Sequence, residues 1–274
     1  MAPKLGILAG GGELPARLVA ACRTQGREVF VLGLTGHADP ANFPDVPQAW
    51  IRMGEAGQGM DILHKNGVKD LVMAGPVRRP TLRDLRPDWR TTRFFARLGL
   101  KALGDDGLLK AVITELEGEG FRVVGMDSIL GDLLAEDGVW GRHQPDEVAR
   151  ADIERGLQVA CGLGVLDIGQ SVVIQQGIVL GVEAVEGTDA LITRCGALGR
   201  QGPGGVLVKI AKPGQERRVD LPTIGVETVR LCAAAGLRGI AVETGSAIVV
   251  GREQVVATAD KAGLFVMGTR VTRT

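Results

Sequence analysis

The amino-acid sequence predicts an α/β fold, with an N-terminal Rossmann-like parallel-sheet domain and a second, C-terminal α/β domain. In the first half, short apolar runs alternate with helical patterns, as expected when helices connect the strands of a parallel sheet. A non-periodic stretch rich in Gly, Asp and Glu then precedes a second alternation. With 274 residues, 45% of them hydrophobic, the chain is long enough for two cores. We therefore predict domains over residues 1–130 and 145–274 joined by a linker over 131–144, with one large domain as the alternative.

The N-terminal domain is predicted from the order of its apolar runs. The first run, residues 5–9, ends in three glycines and is followed by a helical pattern over 15–25. Further strands are predicted over 28–34, 48–53, 69–74 and 121–126, and further helices over 58–66 and most of 84–119. This order favours a parallel sheet with helices on both faces.

The C-terminal domain is predicted to begin with a helix over 145–161, because Pro145 suits the first turn of a helix. Two β-rich stretches, 171–185 and 205–211, follow this helix. The remaining predicted elements are helices over 188–195, 223–235 and 254–262, and strands over 239–244, 247–250 and 265–266.

Composition excludes several classes of function. Basic and acidic residues number 32 each, so no net positive charge argues for nucleic acid. Four widely spaced cysteines without a CxxC pair fit free thiols in a reducing cytosol. The longest apolar stretch is too short to span a bilayer, and the N-terminus lacks the features of a signal peptide. We therefore expect a cytoplasmic protein whose contact with a membrane is at most peripheral.

Glycines mark the end of the first predicted strand. Gly11 and Gly12 precede a helix, whose backbone N–H groups can bind an anion, and Gly75-Pro76 ends a neighbouring strand. A dinucleotide fingerprint would place glycine where Pro15 stands and an acid at the end of the second strand. A nicotinamide-dependent oxidoreductase is therefore disfavoured. We favour a loop that holds part of a sugar nucleotide, and a purely structural turn is the alternative.

Charged residues are concentrated between residues 182 and 225, at the ends of strand-like runs or in the turns that follow. Carboxylates can hold a hard divalent cation, while Lys and Arg can hold phosphate oxygens. The combination predicts phosphate-ester or pyrophosphate chemistry. Alternatives remain for individual residues: Thr188 and Asp220 as helix caps, Asp189 as a helix-dipole partner, and Glu183 as a solvated strand residue.

Two lysines near a strand end are the predicted phosphate ligands. Strand alternation places Lys209 and Lys212 on opposite faces. Both can share one site only if the strand ends or bends before Pro213.

Several segments resemble the bacterial UDP-2,3-diacylglucosamine pyrophosphatases of the I type. The specific segments are EGTD at 186–189 and DLPTIG at 220–225, and the glycine-rich start at 5–15 adds to them. The resemblance implies a hydrolase of lipid A biosynthesis that cleaves UDP-2,3-diacylglucosamine to UMP and 2,3-diacylglucosamine 1-phosphate with Mg²⁺. The chain departs from the family at Glu216, where the pattern has Asp.

The chemistry of the charged residues and the family resemblance together suggest candidate roles for individual residues. We assign Asp220, Asp189, Lys209 and Lys212 as catalytic, and Asp220, Asp189 and Glu186 as Mg²⁺ ligands. The candidate substrate-binding residues are Gly11, Gly12, Gly75, Pro76, Asp127, Gln170 and Thr188.

The expected partner is the lipid-linked UDP-sugar substrate. A basic amphipathic stripe of Arg90, Arg93, Arg97 and Lys101 is expected to be a solvated face, and the alternative is peripheral contact with the inner membrane, which would suit a lipid substrate. A homo-oligomer is allowed for, and no nucleic acid is expected. A non-catalytic lipid- or nucleotide-binding regulator is the alternative function, and it predicts ligand binding without turnover.

Overall fold

A computed structural model describes residues 2–77, 87–98 and 105–272 of the protein. The chain forms two compact units, residues 1–131 with 216–219, and residues 132–215 with 220–274. Residues 132–144, which the sequence predicts as a linker, belong to the second unit. Within them Gly138–Val139 form a strand of that unit's sheet.

The first unit contains a five-stranded sheet in which every pairing is parallel. Its strands are β1 (Leu5–Ala9), β2 (Val29–Leu34), β3 (Gln48–Ile51), β4 (Asp70–Ala74) and β5 (Arg122–Val123). Its helices are α1 (Leu14–Thr24), α2 (Ala56–Lys65), α3 (Trp89–Leu98) and α4 (Asp105–Gly118). The strand order, β3-β2-β1-β4-β5, is that of a Rossmann-like half-sheet, which confirms the predicted fold class.

A buried carboxylate connects three segments of this unit. Asp70 at the start of β4 is 2% exposed and accepts three hydrogen bonds. One comes from Arg27 at 2.5 Å and two come from Arg122 at 2.8 and 2.7 Å. The apolar strand residues around it need no polar partner, but this carboxylate does, because an unpaired buried charge is costly.

The second unit contains a mixed six-stranded sheet. Its strands are β6 (Gly138–Val139), β7 (Ser171–Gln175), β8 (Ile178–Val182), β9 (Val206–Lys209), β11 (Gly239–Glu243) and β13 (Phe265–Thr269). Their order in the sheet is β6-β13-β11-β9-β7-β8. A separate parallel pair joins β10 (Thr223–Ile224) and β12 (Ile248–Val249). The helices are α5 (Glu147–Val165), α6 (Thr188–Gly196), α7 (Val226–Ala234) and α8 (Arg252–Ala262).

Alternation along the central strands divides the core of this unit into two layers. Val172, Ile174 and Val208 pack in one buried cluster with residues of α5. Val173 and Leu207 pack in the other cluster, with residues of α6, α7 and α8. Since Lys209 is two residues beyond Leu207, it lies on the face that α6 covers.

Two predicted elements differ in detail from the structure. The stretch predicted as β-rich over 171–185 forms a hairpin of two strands, whose turn at Gln176-Gly177 donates two backbone hydrogen bonds to Asp152. The helix predicted from Thr223 begins at Val226, because Thr223–Ile224 pair with β12 instead. Within the described residues, no helix has the length and apolar character needed to cross a bilayer.

The Asp70 network predicts a large effect of one substitution on stability. Asp70→Asn should lower the free energy of unfolding by about 3 kcal/mol, because it leaves two arginines beside a buried neutral group. Urea unfolding of the whole chain measures this. Glu28→Gln is the matched control, since Glu28 is 72% exposed and only pairs with Lys4 at 3.9 Å. An Asp70→Asn cost as small as that of the control would contradict the prediction.

Candidate functional site

Strand register brings the candidate residues of the second unit together. Ser171, the first residue of β7, lies opposite Lys209, the last residue of β9. The chain leaving β8 stays beside β7, because the Glu183 N–H donates to the Ser171 carbonyl at 2.9 Å. Helix α6 then begins at Thr188. One strand end, one strand start and one helix start therefore meet at the same point.

Lys209 is the cation that lies where these two strands and the helix meet, and it is only 7% exposed. Its Nζ donates to the Thr188 hydroxyl at 2.9 Å and to the Thr223 carbonyl at 3.0 Å. Burial lowers the pKa of Lys209, and the nearby carboxylates of Glu183, Asp189 and Asp220 oppose that shift. An ammonium has three N–H donors, so one remains without an acceptor among the residues described.

Glu183 is a buried carboxylate, 7% exposed, in which both oxygens are occupied. One oxygen accepts from the Thr188 hydroxyl at 2.7 Å and the other from the Gln170 backbone N–H at 3.2 Å. The Ser171 hydroxyl lies 3.3 Å from that of Thr188. The alternative of a solvated strand residue is therefore wrong for Glu183.

Asp220 lies in the loop between β9 and β10 and is oriented by Gln215. The Gln215 side-chain amide donates to Asp220 at 2.5 Å, and its oxygen accepts from the Lys212 backbone N–H at 2.8 Å. Gln170 Oε1 lies 3.5 Å from the same Gln215 nitrogen. Asp220 is not a helix cap, because the N-cap of α7 is Gly225.

Asp189 lies in the first turn of α6, as predicted, and its residue is exposed. The N-cap of this helix is Gly187, with φ +80°, and not Thr188. The capping interpretation of Thr188 is therefore wrong, and its hydroxyl faces Glu183 and Lys209 instead. Asp189 lies one residue from Thr188 and acts electrostatically on Lys209.

Two of the predicted residues form ion pairs within the protein. The Lys212 ammonium pairs with Asp167 at 2.7 Å. Glu186 pairs with Arg194 at 2.9 Å, and hydrogen bonds from its own backbone N–H and from Arg194 lower the pKa of Glu186. Among residues 2–77, 87–98 and 105–272, no three His, Cys, Asp or Glu side chains form a metal-holding group.

The predicted N-terminal residues lie in the first unit, where packing explains the glycines. The Gly11 N–H donates to the Pro76 carbonyl at 2.9 Å, so the loop itself satisfies this donor. Gly75 has φ +89°, and a Cβ there would lie 2.1 Å from the Gly11 carbonyl oxygen. Gly12 is exposed, with φ +75°. Asp127 lies in a short 3₁₀ turn with its carboxylate against Gly125.

Sequence patterns did not identify two members of the site. Gln215 received no role, because its contact with Asp220 depends on the closure of an irregular loop. The Thr223 carbonyl is a backbone group, which no side-chain pattern marks. Ser171, like Gln170, precedes a predicted strand and is a candidate hydrogen-bonding residue from the sequence.

The arrangement suits the binding of an anion beside a divalent cation. An ammonium with one available N–H can bind a phosphate oxygen. The carboxylates of Asp189 and Asp220 act electrostatically on the same ammonium, and carboxylates are groups that can hold a divalent cation.

Comparison with known proteins gives matches along the whole chain. A family profile described as the LpxI N-terminal domain matches residues 4–133, and one described as the LpxI C-terminal domain matches 136–267. The UDP-2,3-diacylglucosamine pyrophosphatase LpxI of Caulobacter vibrioides is 43% identical over 272 residues, 97% of each chain.

Solved structures give only weak likenesses. The CobK precorrin-6A reductase has a TM-score of 0.32 and 13% identity over 100% of this chain and 89% of that chain. The UDP-glucose 4-epimerase of Thermus thermophilus, in complex with NAD, has a TM-score of 0.33 and 15% identity over 99% of this chain and 86% of that chain. Neither likeness supports a functional argument.

The buried ammonium predicts a pH-dependent stability. Burial lowers the pKa of Lys209 in the folded chain below its ordinary value of 10.5, so the unfolded chain binds the proton more tightly. Between these two pKa values the stability of the wild type should therefore rise with pH relative to Lys209→Met. Urea unfolding of both proteins across this window measures the difference.

Lys65→Met, at an exposed position of α2, is the control for the loss of a lysine charge. A difference between wild type and Lys209→Met that stays constant with pH, or that moves in favour of the variant, would contradict the prediction.

Proposed function

The chain belongs to the LpxI family, and from this premise we propose that it hydrolyses UDP-2,3-diacylglucosamine to UMP and 2,3-diacylglucosamine 1-phosphate in lipid A biosynthesis. The observation that carries the proposal is the 43% identity to a pyrophosphatase over 97% of both chains. The cluster around Lys209 supports it, because its charges suit a pyrophosphate.

In the proposed reaction, water attacks one phosphorus and the bond from that phosphorus to the bridging oxygen breaks. Negative charge then builds up on the phosphoryl oxygens and on the leaving phosphate. The fixed Lys209 ammonium stabilises this negative charge. Because the ammonium is largely buried, its electrostatic interaction with the charge is stronger than it would be in solvent. Because two N–H groups are already held by Thr188 and Thr223, little reorganisation is needed.

We assign to Asp220 the placement of the attacking water or of a cation. Gln215 holds one carboxylate oxygen, so the carboxylate has a defined direction. Asp189 adds a second carboxylate near the same ammonium.

The residues present fit Mg²⁺, which proteins commonly hold through one or two carboxylates together with substrate phosphates. Asp189 and Asp220 are the two ligands that we propose. When bound, Mg²⁺ polarises phosphoryl oxygens. Glu186 is a weaker candidate than the sequence suggests, because Arg194 already pairs with its carboxylate.

Peripheral membrane contact and a cytoplasmic location stay predictions for a diacyl substrate. Arg90 pairs with Asp61 at 3.1 Å and Arg97 pairs with Glu115 at 2.9 Å, which reduces the positive charge of the predicted stripe. Lys101 lies outside the described residues.

Incubation with UDP-2,3-diacylglucosamine tests the function directly. Purified wild type should release UMP with Mg²⁺ and lose this activity in EDTA. Asp220→Asn should lower kcat by roughly 100-fold or more, because it removes a transition-state group. Asp152→Asn is the control, since Asp152 only accepts from the hairpin turn. Binding of the lipid without UMP release would favour the non-catalytic regulator.

Gln215 gives a second kinetic prediction. Gln215→Ala should lower kcat by roughly 10- to 100-fold, because Asp220 loses the group that directs it. Gln175→Ala is the matched control. Gln175 is also a buried glutamine of this unit, but it holds Arg200 and Pro203 at the opposite end of β7. Equal kcat values for the two variants would contradict the proposed role of Gln215.

A further inference from the structure

We propose that Glu183 is a positioning residue that acts through the Thr188 hydroxyl to hold the Lys209 ammonium toward the pyrophosphate. This inference rests on the proposed function, since it concerns how the phosphate ligand is held. Its evidence is the unbroken sequence of contacts from Glu183 to Thr188 to Lys209, at 2.7 and 2.9 Å.

Glu183 itself is not placed to touch a substrate. Its residue is 7% exposed, and its two oxygens accept from two different donors within the protein. The neighbouring loop also packs on its backbone, since a Cβ at Gly169 would lie 2.1 Å from the Glu183 carbonyl oxygen. Any effect of Glu183 on the reaction must therefore pass through its partners.

The carboxylate sets the direction of the Thr188 hydroxyl. A threonine hydroxyl has one hydrogen to donate, and an ionised carboxylate can only accept. The hydrogen therefore points to Glu183, and an oxygen lone pair is left for the Lys209 ammonium, which can only donate. If the hydrogen pointed the other way, two donors would face each other.

The direction of the hydroxyl in turn fixes Lys209. One N–H of the ammonium is held by α6 through Thr188, and a second by the Thr223 carbonyl of β10. Two anchors on separate elements leave the flexible four-carbon stem little freedom. The third N–H then has one direction, which is the preorganisation that transition-state stabilisation requires.

Glutamine at position 183 is a sharp test, because both partners of Glu183 are donors. The side-chain amide of Glu183→Gln has one oxygen and one NH₂ group. Because Thr188 and the Gln170 N–H contact different oxygens of Glu183, the amide oxygen can replace only one of these oxygens, and the NH₂ group faces the other donor. Either Gln170 loses its acceptor or the Thr188 hydroxyl turns around.

A double-mutant cycle on kcat tests the connection. Glu183→Gln and Thr188→Val should each lower kcat by roughly 10- to 100-fold, the usual effect of removing a supporting partner. KM should change by less than roughly 3-fold, because the loss concerns the transition state. If Glu183 acts through Thr188, the double variant should lose no more than the larger single loss. Thr188→Ser keeps the hydroxyl and should restore kcat to within roughly 3-fold of wild type.

Asp152→Asn is the matched control for removing a buried structural carboxylate. Asp152 is 2% exposed in the same unit and accepts only from the Gln176 and Gly177 N–H groups. It should lower the free energy of unfolding and leave kcat unchanged. Losses in Glu183→Gln and Thr188→Val that multiply in the double variant, or a Thr188→Val with the kcat of wild type, would overturn the proposal.

A crystal structure of Glu183→Gln gives a readout that does not depend on turnover. We expect Lys209 Nζ to lose at least one of its contacts with Thr188 and Thr223, while both persist in Asp152→Asn. If wild type releases no UMP, the proposed function fails. The structure of Glu183→Gln still tests whether Glu183 holds Lys209 through Thr188. Lys209 with both contacts intact in Glu183→Gln would overturn the inference.

Discussion

The burial of one ammonium group determines the arrangement of the candidate site in the second unit. A lysine charge taken out of water is costly unless acceptors replace the water it loses. Lys209, the last residue of β9, is buried in this way on the face of the sheet that α6 covers. The acceptors come from the helix start at Thr188 and from the Thr223 carbonyl, and Glu183 completes the arrangement by holding Thr188.

The mixed sheet makes this arrangement possible. Because β7 runs antiparallel to β9, its first residue lies beside the last residue of β9, and the chain leaving β8 arrives at the same edge. The turn before α6 needs the positive φ of Gly187, which places Thr188 inward and leaves Asp189 exposed. The buried network thus holds the Lys209 ammonium, while Asp189 is exposed and Asp220 is held by Gln215.

Much of the fold and part of the site follow from sequence patterns. Apolar runs and glycine turns predicted the parallel sheet of the first unit, and Lys209 was singled out by its place at a strand end. The partners of the other residues depend on tertiary packing. Arg194 reaches Glu186 only because α6 folds back on the preceding loop, and Gln215 reaches Asp220 only because the loop closes. The sequence also left open which face of the sheet the Glu183 side chain lies on. Glu183 follows the end of a strand, and the alternation of side chains along a strand does not extend beyond that end.

The proposed function depends on binding of the pyrophosphate by the fixed Lys209 ammonium. A crystal structure of Asp220→Asn with UDP-2,3-diacylglucosamine and Mg²⁺ can show whether this contact forms. We expect a phosphate oxygen about 3 Å from Lys209 Nζ, in the direction of its third N–H. We also expect that the contacts of Lys209 with Thr188 and Thr223 are retained. A pyrophosphate bound elsewhere, with Lys209 contacting only the protein, would show that Lys209 is not its ligand.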